Sequence, residues 1–293
     1  MQKMKRNHWV SQSYLRSFAA DPDTRQKIWR FGKSGGDPEL KPIEKVAVNF
    51  YLYAPQDATG KRDYSFEHRL SRLEQWFGHS LWHKLCNDMI SLESEAMRKF
   101  VSLLTAVMYL RNPAEFERTK VMHREIVEMY SRLPELPTVF EHNGKRYPLD
   151  TSKWPEYRDA SEDDLKRHWI QSVSSAGWLA ERLMKMRWAV VFSERPVFIT
   201  SDRPVAIVHP SGRFRGLDDP DTNIFFPLSP TRVLVMDNRH GEPDGHYYPL
   251  KTGPGSFNIA MWQNVLEHMY SHRHPDIVSA EMIEEAEKIR ATG

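Results

Sequence analysis

Residues 197–208, Val-Phe-Ile-Thr-Ser-Asp-Arg-Pro-Val-Ala-Ile-Val, restrict the fold more than any other stretch, because two apolar β-branched runs enclose one charged turn. The runs 197–199 and 205–208 have the composition of buried strands, and Ser201-Asp-Arg-Pro204 between them carries turn chemistry. Pro204 lacks a backbone donor and steers Arg203 away from helical geometry, which interrupts any strand ladder there. A polar insert pinned between buried strands is a rigid mount for a side chain. On this stretch alone, Asp202 is either the hub of a structural Asx turn or a reacting carboxylate.

The same scheme of strand, proline turn and strand returns at residues 223–236, and residues 188–192 add another strand. Nearer the start, Lys27-Ile-Trp-Arg-Phe31 and residues 46–53 read as an antiparallel pair, with Asn49 a lone amide among apolar neighbours. Helical periodicity dominates elsewhere. Phe66, Leu70, Leu73, Phe77, Leu81 and Leu85 mark one amphipathic helix over residues 65–87, which sets Glu67 and Glu74 on one face. A second helix, capped at Ser91, ends at Arg111-Asn-Pro113, and a third spans residues 114–133. Ser161-Glu-Asp-Asp164 has the form of a capping box opening a helix to about residue 186, and two helices, 256–272 and 276–290, form the tail. These elements predict a single α+β domain over residues 1–293, a helix-rich body around a small antiparallel sheet, with a Pro-rich surface insertion at 134–160.

Charge is local. The net charge is only +2, yet residues 1–33 hold eight Lys or Arg against Asp21 and Asp23, a basic arm able to track phosphates. The single cysteine, Cys86, excludes an internal disulfide and a cysteine-rich zinc site, and suits a reducing compartment. Without an apolar leader or a membrane-length run, a cytoplasmic protein is expected. His79 and His83, and the tail histidines His268, His272 and His274, lack the HExxH pattern or acidic partners of a metal site, so no metal or other cofactor is expected. Dinucleotide, P-loop, serine-hydrolase and kinase signatures are also absent.

Five pieces together, His8-Trp-Val-Ser-Gln-Ser-Tyr-Leu-Arg-Ser-Phe18, Asn49-Phe-Tyr51, Arg111-Asn-Pro113, Phe198-Ile-Thr-Ser-Asp-Arg-Pro204 and Phe226-Pro-Leu-Ser-Pro230, resemble the bacterial family called domain of unknown function 4238. The resemblance spans nearly the whole chain. It implies a role in defence against phage and, as in some members, excision of modified cytosine (hydroxymethyl or glucosyl type) from phage DNA. Under that reading Asp202 is the catalytic carboxylate with His8 and Asn49 beside it. Gln12, Tyr14, Arg16, Tyr51, Arg111 and Arg203 contact the flipped base and the DNA. DNA is then the one expected partner, with neither a membrane nor an obligate protein partner. Two alternatives stay open: a metal-dependent nuclease pairing Asp202 with Glu67 or Glu74, and a non-catalytic sensor of phage protein or nucleic acid.

Overall fold

A computed structural model describes residues 6–292 apart from 22, 143 and 252. The chain begins with a short strand β1 (Arg6–His8) and helix α1 (Gln12–Leu15), followed by β2 (Lys27–Gly32), β3 (Glu39–Pro42) and β4 (Val48–Phe50). Helices α2 (Ser65–Glu74), α3 (Ser80–Asn87), α4 (Glu95–Leu110) and α5 (Pro113–Ser131) come next. Residues 134–160 hold β5 (Val139–His142), β6 (Lys145–Pro148) and α6 (Trp154–Arg158). Helices α7 (Glu162–Ser174) and α8 (Gly177–Lys185) lead into β7 (Arg187–Phe192), β8 (Thr200–Ser201), β9 (Ala206–Val208), β10 (Asn223–Ser229), β11 (Arg232–Asp237) and β12 (His246–Pro249). The chain closes with α9 (Gly255–Asn264), β13 (His268–Ser271) and α10 (Pro275–Thr292).

The architecture is α+β, as the pattern predicts. Its largest sheet has the order β12-β7-β11-β10-β9, antiparallel except where β12 runs parallel to β7. Alternation along these strands sends Trp188, Val190, Ile224, Phe226, Leu234 and Met236 to one face, where they join the main core with α4, α7 and α8. The second sheet, β3-β2-β13-β8, carries the central turn at its edge. Cys86 is packed into the core, where burial pushes its thiol up to about 12, as expected of an inert cysteine.

Several boundaries differ from the sequence pattern for local reasons. The helix over 65–87 breaks at Gly78-His79, where the His79 ring accepts the Leu81 N–H as an N-cap, so its Nδ1 is taken up by the helix start. The cap of α4 is Ser94 in place of Ser91. The helix after the capping box, which forms as read, divides after Ser174. The tail helix stops at Asn264, because residues 268–271 complete the second sheet as β13. Residues 48–50 pair with β1, whereas β2 pairs with β3 and β13. Residues 1–5, the start of the predicted basic arm with Lys3 and Lys5, lie outside the described residues. No helix among the described residues is long and apolar enough to cross a membrane.

Candidate functional site

The central turn is a structural hub. Asp202 is 1% exposed, and its carboxylate accepts three main-chain N–H bonds: Oδ1 from Leu266 at 2.9 Å, and Oδ2 from Glu267 and His268 at 2.8 Å each. Its carbonyl accepts the Trp9 indole N–H and the Asn112 amide, both at 2.8 Å. One residue thereby ties the amino-terminal segment, the α4–α5 junction and the approach to β13 together. Burial holds the carboxyl above its ordinary range, against the pull of those three donors. With its acceptor positions turned to the main chain and no place on the cavity described below, Asp202 is a brace and not the reacting acid. For the same reason it cannot join Glu67 or Glu74 around a metal ion.

Four other expected site residues, Asn49 of the catalytic set and Tyr14, Tyr51 and Arg111 of the contact set, also have structural roles. Tyr14 is fully buried, donates to the Pro227 carbonyl at 2.7 Å, shares a 2.8 Å bond with the Thr200 hydroxyl and stacks on Phe226, so it offers no face to a base. Asn49 is exposed, and its side chain accepts the N–H of Phe50. Tyr51 holds a left-handed φ of 53° and lies 4.1 Å under the Arg62 guanidinium. Arg111, 2% exposed, donates Nε to the Trp9 carbonyl at 2.8 Å and Nη2 to the His8 carbonyl at 3.2 Å, and pairs with Glu74 at 2.8 Å. Burial opposes its charge, and Glu74 and its neighbours outweigh that effect. It is a positioning residue that fixes the His8-Trp9 main chain. Arg111→Met is expected to destabilise the fold by about 3 kcal/mol or more, measured by urea denaturation, because it strands the two carbonyls and Glu74.

Arg16 is exposed on the surface. Arg203 pairs with Glu115 at 3.0 Å and lines a separate groove with Arg213 and Gln263. Neither joins the site that the amino-terminal segment builds.

That site is a cavity of about 320 Å³ between the start of the chain and α2, lined by Arg6, His8, Gln12, Glu67, Ser71 and Glu74, with Glu44 at its exposed rim. The geometry follows from two local periodicities. The seven-residue interval in α2 brings Glu67 and Glu74 to one face, and the pairing of β1 with β4 delivers Arg6 and His8 to the same side. His8 Nδ1 donates to the Val46 carbonyl at 3.2 Å, which fixes the tautomer and leaves Nε2 as an acceptor for a ligand. Burial lowers the His8 pKa, so this ring is neutral at pH 7. Burial pushes Glu67 up to about 7, with Glu74 adding to the rise and Arg111 opposing it. Asn7, 1% exposed, is the side-chain hydrogen-bonding neighbour of Glu67 and does not itself line the cavity.

The family model described as "Protein of unknown function (DUF4238)" matches residues 6–287. The chain belongs to the DUF4238 family. No curated protein and no solved structure matches it. Within this DUF4238 chain the opening segment supplies His8 and Gln12 to the cavity, while the central turn supplies the brace behind it. Glu67 and Glu74 were legible as a face of one helix, but Asn7 and Ser71 give no signal in the sequence beyond their polarity.

Among the described residues the other cluster with metal-ligand residue types, His209, Asp219 and Asp221, is a hydrogen-bonded loop. His209 Nδ1 accepts the Ser211 N–H at 3.1 Å, so Nε2 carries the proton that points to Asp219 at 3.2 Å. A metal-bound histidine donates through its second nitrogen, the reverse of this arrangement.

Proposed function

We propose that this DUF4238 protein hydrolyses an N-glycosidic bond of a flipped nucleotide, with modified cytosine in phage DNA as the substrate that the family resemblance suggests. The observation that carries the reading is the pairing, in one cavity, of a histidine with a free Nε2 acceptor and a glutamic acid protonated up to about pH 7. In this scheme Glu67 gives its proton to the departing base as the bond to C1′ breaks. Glu74, held by Arg111, faces the positive charge that develops on the sugar. His8 Nε2 removes a proton from the water that adds to C1′. The roles first assigned to Asp202 and Asn49 thus pass to Glu67, Glu74 and His8.

The cavity volume suits a single nucleoside-sized group. Glu74, with Glu44 at the rim, disfavours a phosphate inside, so the neutral base and sugar enter while the strand stays at the mouth. There Arg6, with its guanidinium 5.8 Å from the ring of Phe50, offers a phosphate contact beside an aromatic face that is 60% exposed. The test is incubation of the protein with DNA carrying ordinary or modified cytosine in EDTA, followed by alkali. Alkali-dependent breaks are expected with modified DNA. Direct magnesium-dependent cuts would replace this reading with a nuclease, and DNA intact under both conditions would replace it with a binding protein.

A further inference from the structure

We infer that Phe50 is a wedge, a ring that enters the base stack at the place the flipped nucleotide leaves and holds the strand open. This inference rests on the reading of the cavity beside α2 as a site for a flipped nucleotide, and it supplies the element that fills the gap left in the nucleic acid. The placement follows from the pairing of β1 with β4. Arg6 stands opposite Phe50 and His8 opposite Val48, and residues directly opposed in an antiparallel pair share a face of the ribbon. Arg6 and His8 both line the cavity, so Phe50 lies on the cavity face of the ribbon, directly beside a wall residue. The Arg6 guanidinium, 5.8 Å from the centre of the Phe50 ring, agrees with that placement.

The chain presents this ring on a rigid mount. Strand β4 is bracketed by two non-glycine residues in the left-handed region, Ala47 at φ 47° and Tyr51 at φ 53°. That conformation is unfavourable for a residue with a side chain and persists where surrounding contacts impose it. Here they do. The Ala47 carbonyl accepts the Trp9 N–H at 3.0 Å, and the Val46 carbonyl before it accepts from the His8 ring. On the other side the Tyr51 ring lies 4.1 Å under Arg62, whose Nη1 donates to the Ala54 carbonyl at 2.8 Å. Asn49 Oδ1 accepts the Phe50 N–H at 2.7 Å, so both flanking side chains serve the strand itself and Phe50 is the group they hold out. Its apolar surface leaves water when a nucleobase stacks on it. A fixed apolar ring beside a cation is the composition of an intercalating wedge: the ring parts two bases while Arg6 meets the adjoining phosphate.

The probe is a short duplex carrying hydroxymethylcytosine with the fluorescent base 2-aminopurine as its 3′ neighbour, titrated with the full-length protein in EDTA. Unstacking brightens the analogue, so insertion is read without bond cleavage. Wild type is expected to raise the fluorescence. Phe50→Ala is expected to abolish the rise and to weaken duplex binding by about tenfold, the worth of one stacked aromatic. Phe50→Leu, which keeps an apolar wedge, is expected to recover both. The denaturation midpoint of Phe50→Ala should match wild type, because the side chain is exposed. Phe214→Ala removes a similarly exposed ring beside a separate groove and is expected to leave the signal unchanged. The inference is overturned by absence of a rise in wild type, by a rise that survives Phe50→Ala, by a loss that Phe50→Leu does not recover, or by an equal loss in Phe214→Ala. The expected fluorescence pattern without alkali-labile sites leaves the wedge standing and removes only the glycosidic reading. Alkali-labile sites formed in the duplex by Phe50→Ala at the wild-type rate remove only the wedge.

Discussion

Asp202→Ala is expected to destabilise the protein by about 3–5 kcal/mol, the largest single loss of any substitution at a polar position. Truncation strips the acceptor from three main-chain N–H groups at once, those of Leu266, Glu267 and His268. Asp202 is 1% exposed, so the truncation leaves these donors facing a void in place of a carboxylate. Asp202→Asn is expected to fall between alanine and wild type, since one carboxamide oxygen remains while its NH₂ is turned against donors. Urea denaturation measures both, and a loss below about 1 kcal/mol for alanine would remove the hub from the account. A carboxylate that served chemistry alone would give the opposite pattern, full stability with lost turnover.

The second large effect is a change in pH dependence at Glu67. Its ordinary value is 4.5, and burial raises it to about 7 in the fold. Below about pH 4.5 the group is protonated in both folded and unfolded chains and costs nothing. As pH rises the unfolded chain ionises first, so stability falls until the folded carboxyl also ionises near pH 7, and the cost is then complete. The interval between 4.5 and about 7, at about 1.36 kcal/mol per pH unit, amounts to about 3 kcal/mol. Glu67→Gln cannot ionise. Relative to wild type, the variant is expected to gain about 3 kcal/mol between pH 4 and pH 8, read from denaturation midpoints across that range. A difference that stays constant with pH would show that the carboxyl titrates normally in the fold.

The residues explain what could and could not be read from the sequence. Strong helical periodicity made the α+β composition legible, and the capping box at Ser161 and Asp164 forms as its spacing implies. Three-residue strands such as β1 and β4 carry too few positions to show alternation, so their pairing, which places His8, was hidden. The strand β13 was read as helix because sheet pairing with β2 overrode local preference. Asp202 sits in a turn visible in the sequence, but the donors that claim its carboxylate lie more than sixty residues away, at 266–268. A turn aspartate and a reacting aspartate look alike until those partners are known. Arg111 is similar: its place at the end of a buried helix was evident, while its bonds to the His8 and Trp9 carbonyls depend on tertiary contact.

The claim on which the rest depends is that the cavity between His8 and α2 performs proton transfer while the central turn only holds it in place. Single-turnover formation of alkali-labile sites in EDTA, compared for wild type and a Glu67→Gln protein shown to be folded, measures this most directly. The account predicts a fall in rate of about 10²-fold or more with substrate binding retained, as loss of a general acid requires. A Glu67→Gln protein that generates abasic sites at the wild-type rate would contradict it.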